Sequence, residues 1–182
     1  MHIIHWVPVR RFLLYLLLMT GIPAMIILAG CTGKKDTVAE TKAISAVLDS
    51  LNATAARADY DSYFKLYADS SVFTGTDATE RWDKPAFMTW ASPIFKRGRA
   101  WNFTSIERHI YLNKSADLAW FDELLQTQMK ICRGSGVLSK QGNDWKIEQY
   151  ILSATIPNDL IDTVTVMKAP QEDSIIQKLI NH

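Results

Sequence analysis

The chain has 182 residues, of which 48% are hydrophobic and 21% charged, and this length and composition fit one small globular domain. Lys and Arg together number 20 and Asp and Glu number 19, which excludes the basic footprint of a nucleic-acid-binding protein. The two cysteines, Cys31 and Cys132, are too few for a disulfide framework.

The N-terminal segment has the layout of a secretory signal. Arg10 and Arg11 form a basic start, and residues 12–30 contain no charged side chain. The segment ends in LAGC at 28–31, which resembles the bacterial lipobox. That resemblance implies a lipoprotein signal peptide at 1–30 and an acyl lipid on Cys31.

An uncleaved transmembrane anchor is the alternative for this segment, because about 20 apolar residues can span a bilayer. Gly21 and Pro23 interrupt the run and count against it. In both cases basic residues precede the apolar run, so the positive-inside rule places the domain outside the cytoplasm. We therefore expect a membrane-anchored protein on the periplasmic side or the outer membrane, with residues 31–37 as a tether. Cys132 then has no partner and is expected to be a buried apolar residue.

Three amphipathic helices are predicted next. Apolar residues recur at helical spacing over 44–55, over 60–67 and over 87–95. Asp83 is expected to cap the third helix, because a short acidic side chain can accept hydrogen bonds from the free N–H groups of the first turn. A short strand is predicted at 71–75, between the second and third helices.

After Gly98 the period of the apolar residues shortens from about 3.6 to about 2, which predicts strands. Four strands joined by tight turns into an antiparallel meander are expected, over 101–112, 118–129, 132–140 and 145–156. A helix that begins near Asp159 and is broken at Pro170 completes the chain. Helices followed by strands indicate an α+β fold. Because the strands are apolar on both faces, we infer a curved sheet wrapped around its own helices.

Several short segments of the sequence follow one another in a characteristic order and spacing. They are DYD at 59–61, LYAD at 66–69, TDATERW at 76–82, AWFDE at 119–123, CRGSGVL at 132–138, WKIEQY at 145–150 and IPNDL at 156–160. This pattern resembles the SnoaL-like domains of the nuclear transport factor 2-like superfamily. The resemblance implies a cone-shaped, cystatin-like fold in which a curved antiparallel sheet surrounds N-terminal helices. It also implies a deep pocket and a homodimer formed through the sheet, with the domain at 38–168 and a helical tail at 169–182.

The expected ligand site is an aromatic pocket inside the cone. Gln149 is expected to point inward because strand alternation places it on the same face as Trp145 and Ile147. Arg133 is expected to reach an anionic ligand or to pair with an acid. The full set of expected ligand contacts is Trp82, Trp90, Trp101, Trp120, Arg133 and Gln149.

Asp122 and His109 are the candidate catalytic residues. An aspartate walled by aromatic rings would have its charged form disfavoured by desolvation and could act as a general acid or base. His109 on the neighbouring strand could relay a proton or orient a ligand. The alternative for Asp122 is a structural ion pair with Arg108 or Arg133.

The sequence favours binding over catalysis. Metal-ligand spacing, a phosphate-binding loop and a nucleophile elbow are all missing from it, so we expect neither a metal nor a cofactor. We expect an envelope-anchored module that binds a small, partly apolar molecule and no nucleic acid. Two alternatives stay open. One is a polyketide-cyclase-like or isomerase-like enzyme using Asp122 and His109, and the other is a structural or interaction protein whose pocket is filled by side chains.

Overall fold

A computed structural model describes residues 36–181 of the chain. The predicted signal peptide at 1–30 and the lipid-attachment residue Cys31 lie outside the described residues. The elements in chain order are α1 (Thr37–Ala56), α2 (Tyr60–Lys65), β1 (Tyr67–Thr74), β2 (Arg81–Asp83), α3 (Lys84–Phe95), β3 (Thr104–Leu112), β4 (Leu118–Thr127), β5 (Lys130–Gln141), β6 (Asp144–Ala154), a 3-10 turn (Asn158–Leu160) and α4 (Ile161–Ile180).

One curved sheet of six strands, in the order β2-β1-β6-β5-β4-β3, covers the N-terminal helices. The predicted α+β class and the antiparallel meander from β3 to β6 are confirmed. The expectation of one short strand between the second and third helices is wrong. Two strands, β1 and β2, form a hairpin there, and β1 extends the sheet by pairing parallel to β6.

Two of the register shifts in the sheet decide which side chains near the site point into the fold. In β3 the register shifts between Ser105 and Glu107, and Ile106 is left 57% exposed. Between β5 and β6 the pairing passes from Ile147 to Gln149, so one residue of β6 is extra. A bulge of this kind reverses the alternation of side chains along a strand. Gln149 therefore faces outward and Tyr150 inward, which corrects the prediction for Gln149.

The helix ends follow local capping chemistry. The Asp83 carboxylate accepts a hydrogen bond from the Ala86 backbone N–H at 2.9 Å, which confirms the predicted cap of α3. The predicted break at Pro170 is wrong, because α4 continues through this residue. Proline removes one backbone hydrogen bond, but the turns on both sides retain theirs. No helix within residues 36–181 combines the length and apolarity needed to cross a membrane.

The core lies between the inner face of the sheet and α1, α2 and α3. Cys132 on β5 is fully buried, as predicted. The predicted strand 101–112 begins only at Thr104, and residues 101–103 instead form a loop over the core. The largest fully buried apolar side chains are Ile44, Leu48, Tyr63, Phe87, Leu125, Leu138 and Ile147.

Two glycines on the inner face of β5 make room for bulky neighbours. At Gly136 an added Cβ would overlap the backbone oxygen of Gln149 and lie 2.9 Å from the ring of Phe121. At Gly134 it would lie 2.5 Å from the Tyr150 hydroxyl. Both glycines are therefore required by close approach of atoms already in place.

Gly136→Ala is expected to lower the free energy of unfolding by about 3 kcal/mol, because the backbone of β6 must move to admit one methyl group. Urea denaturation followed by circular dichroism measures the change. Ser135→Ala, the neighbouring change on the outer face, is the matched control and should cost less than about 1 kcal/mol. Equal losses for the two variants would contradict the close-approach argument.

Candidate functional site

A cavity of about 210 Å³, partly open to solvent, lies among α1, the loop before β3 and the turn between β4 and β5. Its inner end is formed by buried side chains, including Tyr63 and Tyr150. Its rim carries exposed residues such as Thr76 and Gln128. The wall consists of Leu51, Asn52, Tyr63, Phe73, Gly75, Thr76, Glu80, Trp90, Trp101, Phe103, Gln128, Met129, Tyr150 and Leu152.

Aromatic rings form much of this wall and support one another. The Tyr63 and Trp101 rings meet edge to face with centroids 5.4 Å apart. Trp90 lies 6.5 Å from Trp101 and stacks on Trp82 at 4.8 Å. Such ring pairs hold each other in place beyond what burial alone provides. The wall is therefore built from side chains with little freedom to collapse into the cavity.

A buried acid stands behind the inner end of the cavity. Glu123 on β4 is 2% exposed. Its Oε1 accepts a hydrogen bond from the Tyr150 hydroxyl at 3.2 Å, and its Oε2 accepts from the Ser105 hydroxyl at 3.0 Å. Arg108 Nε donates to the same Oε2 at 2.9 Å. The carboxylate is thus satisfied on both oxygens, as a buried charge requires.

Arg108 connects this acid to helix α1. Its Nη1 donates to the Asp49 carboxylate at 2.7 Å and to the Ser45 backbone oxygen at 3.3 Å. Its Nη2 lies 2.8 Å from Glu123 Oε2 but lacks hydrogen-bond geometry, so the pair is bonded through Nε. Burial lowers the pKa of Arg108, but Glu123 and Asp49 outweigh it and raise that pKa above its ordinary value.

Two further hydroxyls meet beside Tyr150. The oxygens of Tyr63 and Tyr67 are 3.0 Å apart and share one hydrogen bond. Burial raises the pKa of Tyr63 and of Tyr150 well above the ordinary value for tyrosine, and nearby polar groups add to the effect. These phenols are therefore neutral hydrogen-bonding groups at physiological pH.

The structure brings two of the predicted ligand contacts to the cavity. Trp90 and Trp101 are wall residues of the cavity, and their contact with a ligand stays a prediction. Trp82 lies behind the wall, where it stacks on Trp90 and on Phe87. It supports the cavity from the core side and is not itself part of the wall.

The other predicted site residues lie on the outer face of the sheet. Trp120 is 46% exposed, and Arg133 and Gln149 are exposed on the neighbouring strands. Asp122 and His109 face each other across β4 and β3, also on this outer face. The expectation that the pocket aromatics enclose Asp122 is wrong, because β4 turns its other face to the core.

The contacts of Arg108 and His109 also bear on the candidate catalytic pair. Arg108, one of the two arginines considered as an alternative ion-pair partner of Asp122, binds Glu123 and Asp49 instead. His109 Nε2 lies 2.8 Å from a carboxylate oxygen of Glu107 on the same strand. The residues that sequence reasoning missed are thus Glu123 and the tyrosines beside it.

The outer face carries exposed apolar side chains. Tyr111 and Trp120 stack there with ring centroids 5.8 Å apart, and Ile106 and Ile131 are about half exposed. Homodimerisation through this face stays a prediction from the family resemblance. Helix α4 contributes no buried residue to the fold.

The comparison with protein families decides the relationship. Residues 44–157 match the model of the SnoaL-like domain. The chain belongs to the SnoaL-like domain family. No curated protein matches the sequence.

Solved structures from several bacteria share the fold. A nuclear transport factor 2-like protein of unknown function from Pseudomonas putida is 17% identical, with a TM-score of 0.57, over 67% of this chain and 90% of that one. A putative dehydratase from Streptomyces avermitilis is 11% identical, with a TM-score of 0.55, over 66% and 99%. A cystatin-like domain from Nostoc punctiforme is 15% identical, with a TM-score of 0.53, over 79% and 98%. At these identities the likeness shows the fold alone.

The free energy of unfolding is expected to fall as the pH rises above about 10, the ordinary pKa of tyrosine. The pKa of Tyr63 and of Tyr150 is raised by burial, so the unfolded chain loses these protons first. Tyr150→Phe removes one titrating group and should make the fall shallower by up to about 1.4 kcal/mol per pH unit. Urea denaturation at a series of alkaline pH values measures both slopes. Identical slopes would contradict the assignment.

Proposed function

We propose that this SnoaL-like protein is a membrane-anchored binding module of the cell envelope that holds a small molecule in the aromatic cavity. The observation that carries the proposal is an open cavity with rigid apolar walls and a few fixed polar groups at its inner end. This combination is typical of sites that bind small ligands. A purely structural protein would have no need of such a cavity, because filling it with side chains would stabilise the core.

The volume supports a ligand about one ring in size. An apolar cavity of about 150 Å³ accepts benzene. The present cavity, at about 210 Å³, accommodates a single ring with one or two small substituents. A larger ligand would have to extend through the open side of the cavity into solvent.

The placement of acids and bases supports binding rather than turnover. Asp122 and His109, the candidate catalytic pair, lie on the outer face and cannot reach a molecule in the cavity. Glu80, at the β1–β2 hairpin, is the wall residue that carries a carboxylate. General acid–base catalysis requires a group within hydrogen-bond reach of the reacting atom. The enzyme alternative therefore loses the residues assigned to it.

Asn52→Phe is expected to abolish binding of a one-ring ligand, because the larger side chain fills the cavity from α1. The probe is p-cresol, and isothermal titration calorimetry measures the affinity. Asn52→Ala, at the same position, enlarges the cavity and should bind within about threefold of wild type. Unchanged p-cresol binding by Asn52→Phe would place the ligand elsewhere and contradict the proposal.

The anchoring part of the proposal rests on the sequence before the described residues. A basic start, an apolar run and LAGC at 28–31 form the lipobox-like pattern. A lipid on Cys31 would hold the domain at a membrane surface, although stable anchoring usually takes more than one acyl chain. The lipobox resemblance implies a diacylglycerol on Cys31, and a diacylglycerol carries two acyl chains.

Cys31→Ser is expected to move the protein from the membrane fraction to the soluble fraction, or to leave an unprocessed precursor. Incorporation of radiolabelled palmitate followed by fractionation of the native host measures the effect. Cys132→Ala removes the other cysteine, which is buried in the domain, and should leave labelling intact. Labelled Cys31→Ser protein would contradict lipid attachment at this residue.

A further inference from the structure

The direction of one hydrogen bond at the inner end of the cavity restricts the ligand. The Tyr150 hydroxyl lies 3.2 Å from Glu123 Oε1. A carboxylate held in an ion pair accepts hydrogen bonds and cannot donate them. Tyr150 must therefore be the donor in this contact, and its single proton is directed away from the cavity.

The Glu123 carboxylate cannot rotate away from Tyr150 and leave the tyrosine proton free for another acceptor. Glu123 is 2% exposed, and its other oxygen is held by Arg108 Nε at 2.9 Å and by the Ser105 hydroxyl at 3.0 Å. Gly134 adds a further constraint, because the Tyr150 hydroxyl packs directly over its α-carbon. The tyrosine oxygen is thereby fixed in position and orientation.

Tyr150 consequently offers the cavity only lone pairs. A ligand that reaches this oxygen must bring its own O–H or N–H donor. The neighbouring Tyr63, whose hydroxyl is paired with that of Tyr67 at 3.0 Å, is also a wall residue. A ligand hydroxyl supplies the donor that the Tyr150 oxygen can accept.

The charge of the wall restricts the ligand further. Of the described residues that form the wall, none is Lys, Arg or His, and Glu80 is acidic. An anionic ligand would lose its hydration without gaining a cationic partner, which is costly. Arg133, the residue expected to receive an anion, lies on the outer face.

We propose that the cavity selects a neutral, single-ring molecule carrying a hydroxyl group, such as a phenol, with that hydroxyl donating to the Tyr150 oxygen. This inference rests on the proposed function, since it specifies the ligand of the same cavity. The aromatic walls contact the ring, and the cavity volume fits a single ring. The Tyr150 proton is already donated to Glu123, so the ligand must supply the donor.

Four ligands of nearly equal shape test the proposal on the purified protein by isothermal titration calorimetry. They are p-cresol, p-xylene, 4-methylanisole and p-toluate. The cresol is expected to bind about tenfold more tightly than p-xylene or 4-methylanisole, because a buried acceptor left unpaired costs about that factor. The toluate anion is expected to bind most weakly.

The outcomes separate this proposal from the proposed function. Equal affinities for p-cresol and p-xylene would overturn the donor requirement while leaving a binding cavity. Tighter binding of 4-methylanisole than of p-cresol would also overturn it, since the cavity would then present a donor. Failure of all three neutral rings to bind would contradict the proposed function itself.

A pair of variants locates the preference. Tyr150→Phe removes the acceptor, so the tenfold preference for p-cresol over p-xylene should disappear, with p-xylene affinity within about threefold of wild type. Tyr60→Phe is the matched control, because the Tyr60 hydroxyl donates to the Met88 backbone oxygen and is not part of the wall. Retention of the preference in Tyr150→Phe would overturn the proposal. The wild-type ligand series stands without the variants if either fails to fold.

Discussion

The buried pair of Glu123 and Arg108 organises the rest of the domain. A charge taken out of water is tolerated only when it is paired and hydrogen-bonded, and losing one partner of such a pair typically costs about 3–5 kcal/mol. Arg108 meets this requirement by joining the sheet to the Ser45 backbone and to Asp49 on α1. Glu123 meets it by fixing the Tyr150 hydroxyl. One ion pair therefore fixes the position of α1 against the sheet and the direction of the Tyr150 hydrogen bond at the cavity.

Two glycines on the neighbouring strand β5 provide the space for this arrangement. Gly134 pairs in register with Glu123, and Gly136 pairs with Phe121. A Cβ at either glycine would meet the Tyr150 hydroxyl or the backbone of β6. The cavity and its polar end thus depend on a close approach of β5 and β6 that only glycine permits. The aromatic side chains of the wall then pack around the inner end of the cavity, whose position these strands fix.

The sequence predicted the helices, the meander and the family, but it predicted the wrong face of the sheet for the site. In β4 both alternating sets contain an aromatic ring and an acid, Trp120 with Asp122 and Phe121 with Glu123, so periodicity alone cannot choose between them. The glycines opposite Phe121 and Glu123 were the available signal, because bulky inward residues need small neighbours. The exposure of Gln149 was not predictable, since a single bulge reverses the alternation before it.

The parallel pairing of β1 with β6 has a consequence for how the chain folds. Tyr67 pairs with Ile147, so the first strand finds its main partner only when the last strand is available. Contacts this distant along the chain slow folding, because a long loop must be closed before any of them forms. Until β6 emerges from synthesis, β1 and its hairpin partner β2 cannot join the rest of the sheet. The domain therefore cannot complete its sheet until the last strand is available, a dependence created by this single parallel pairing.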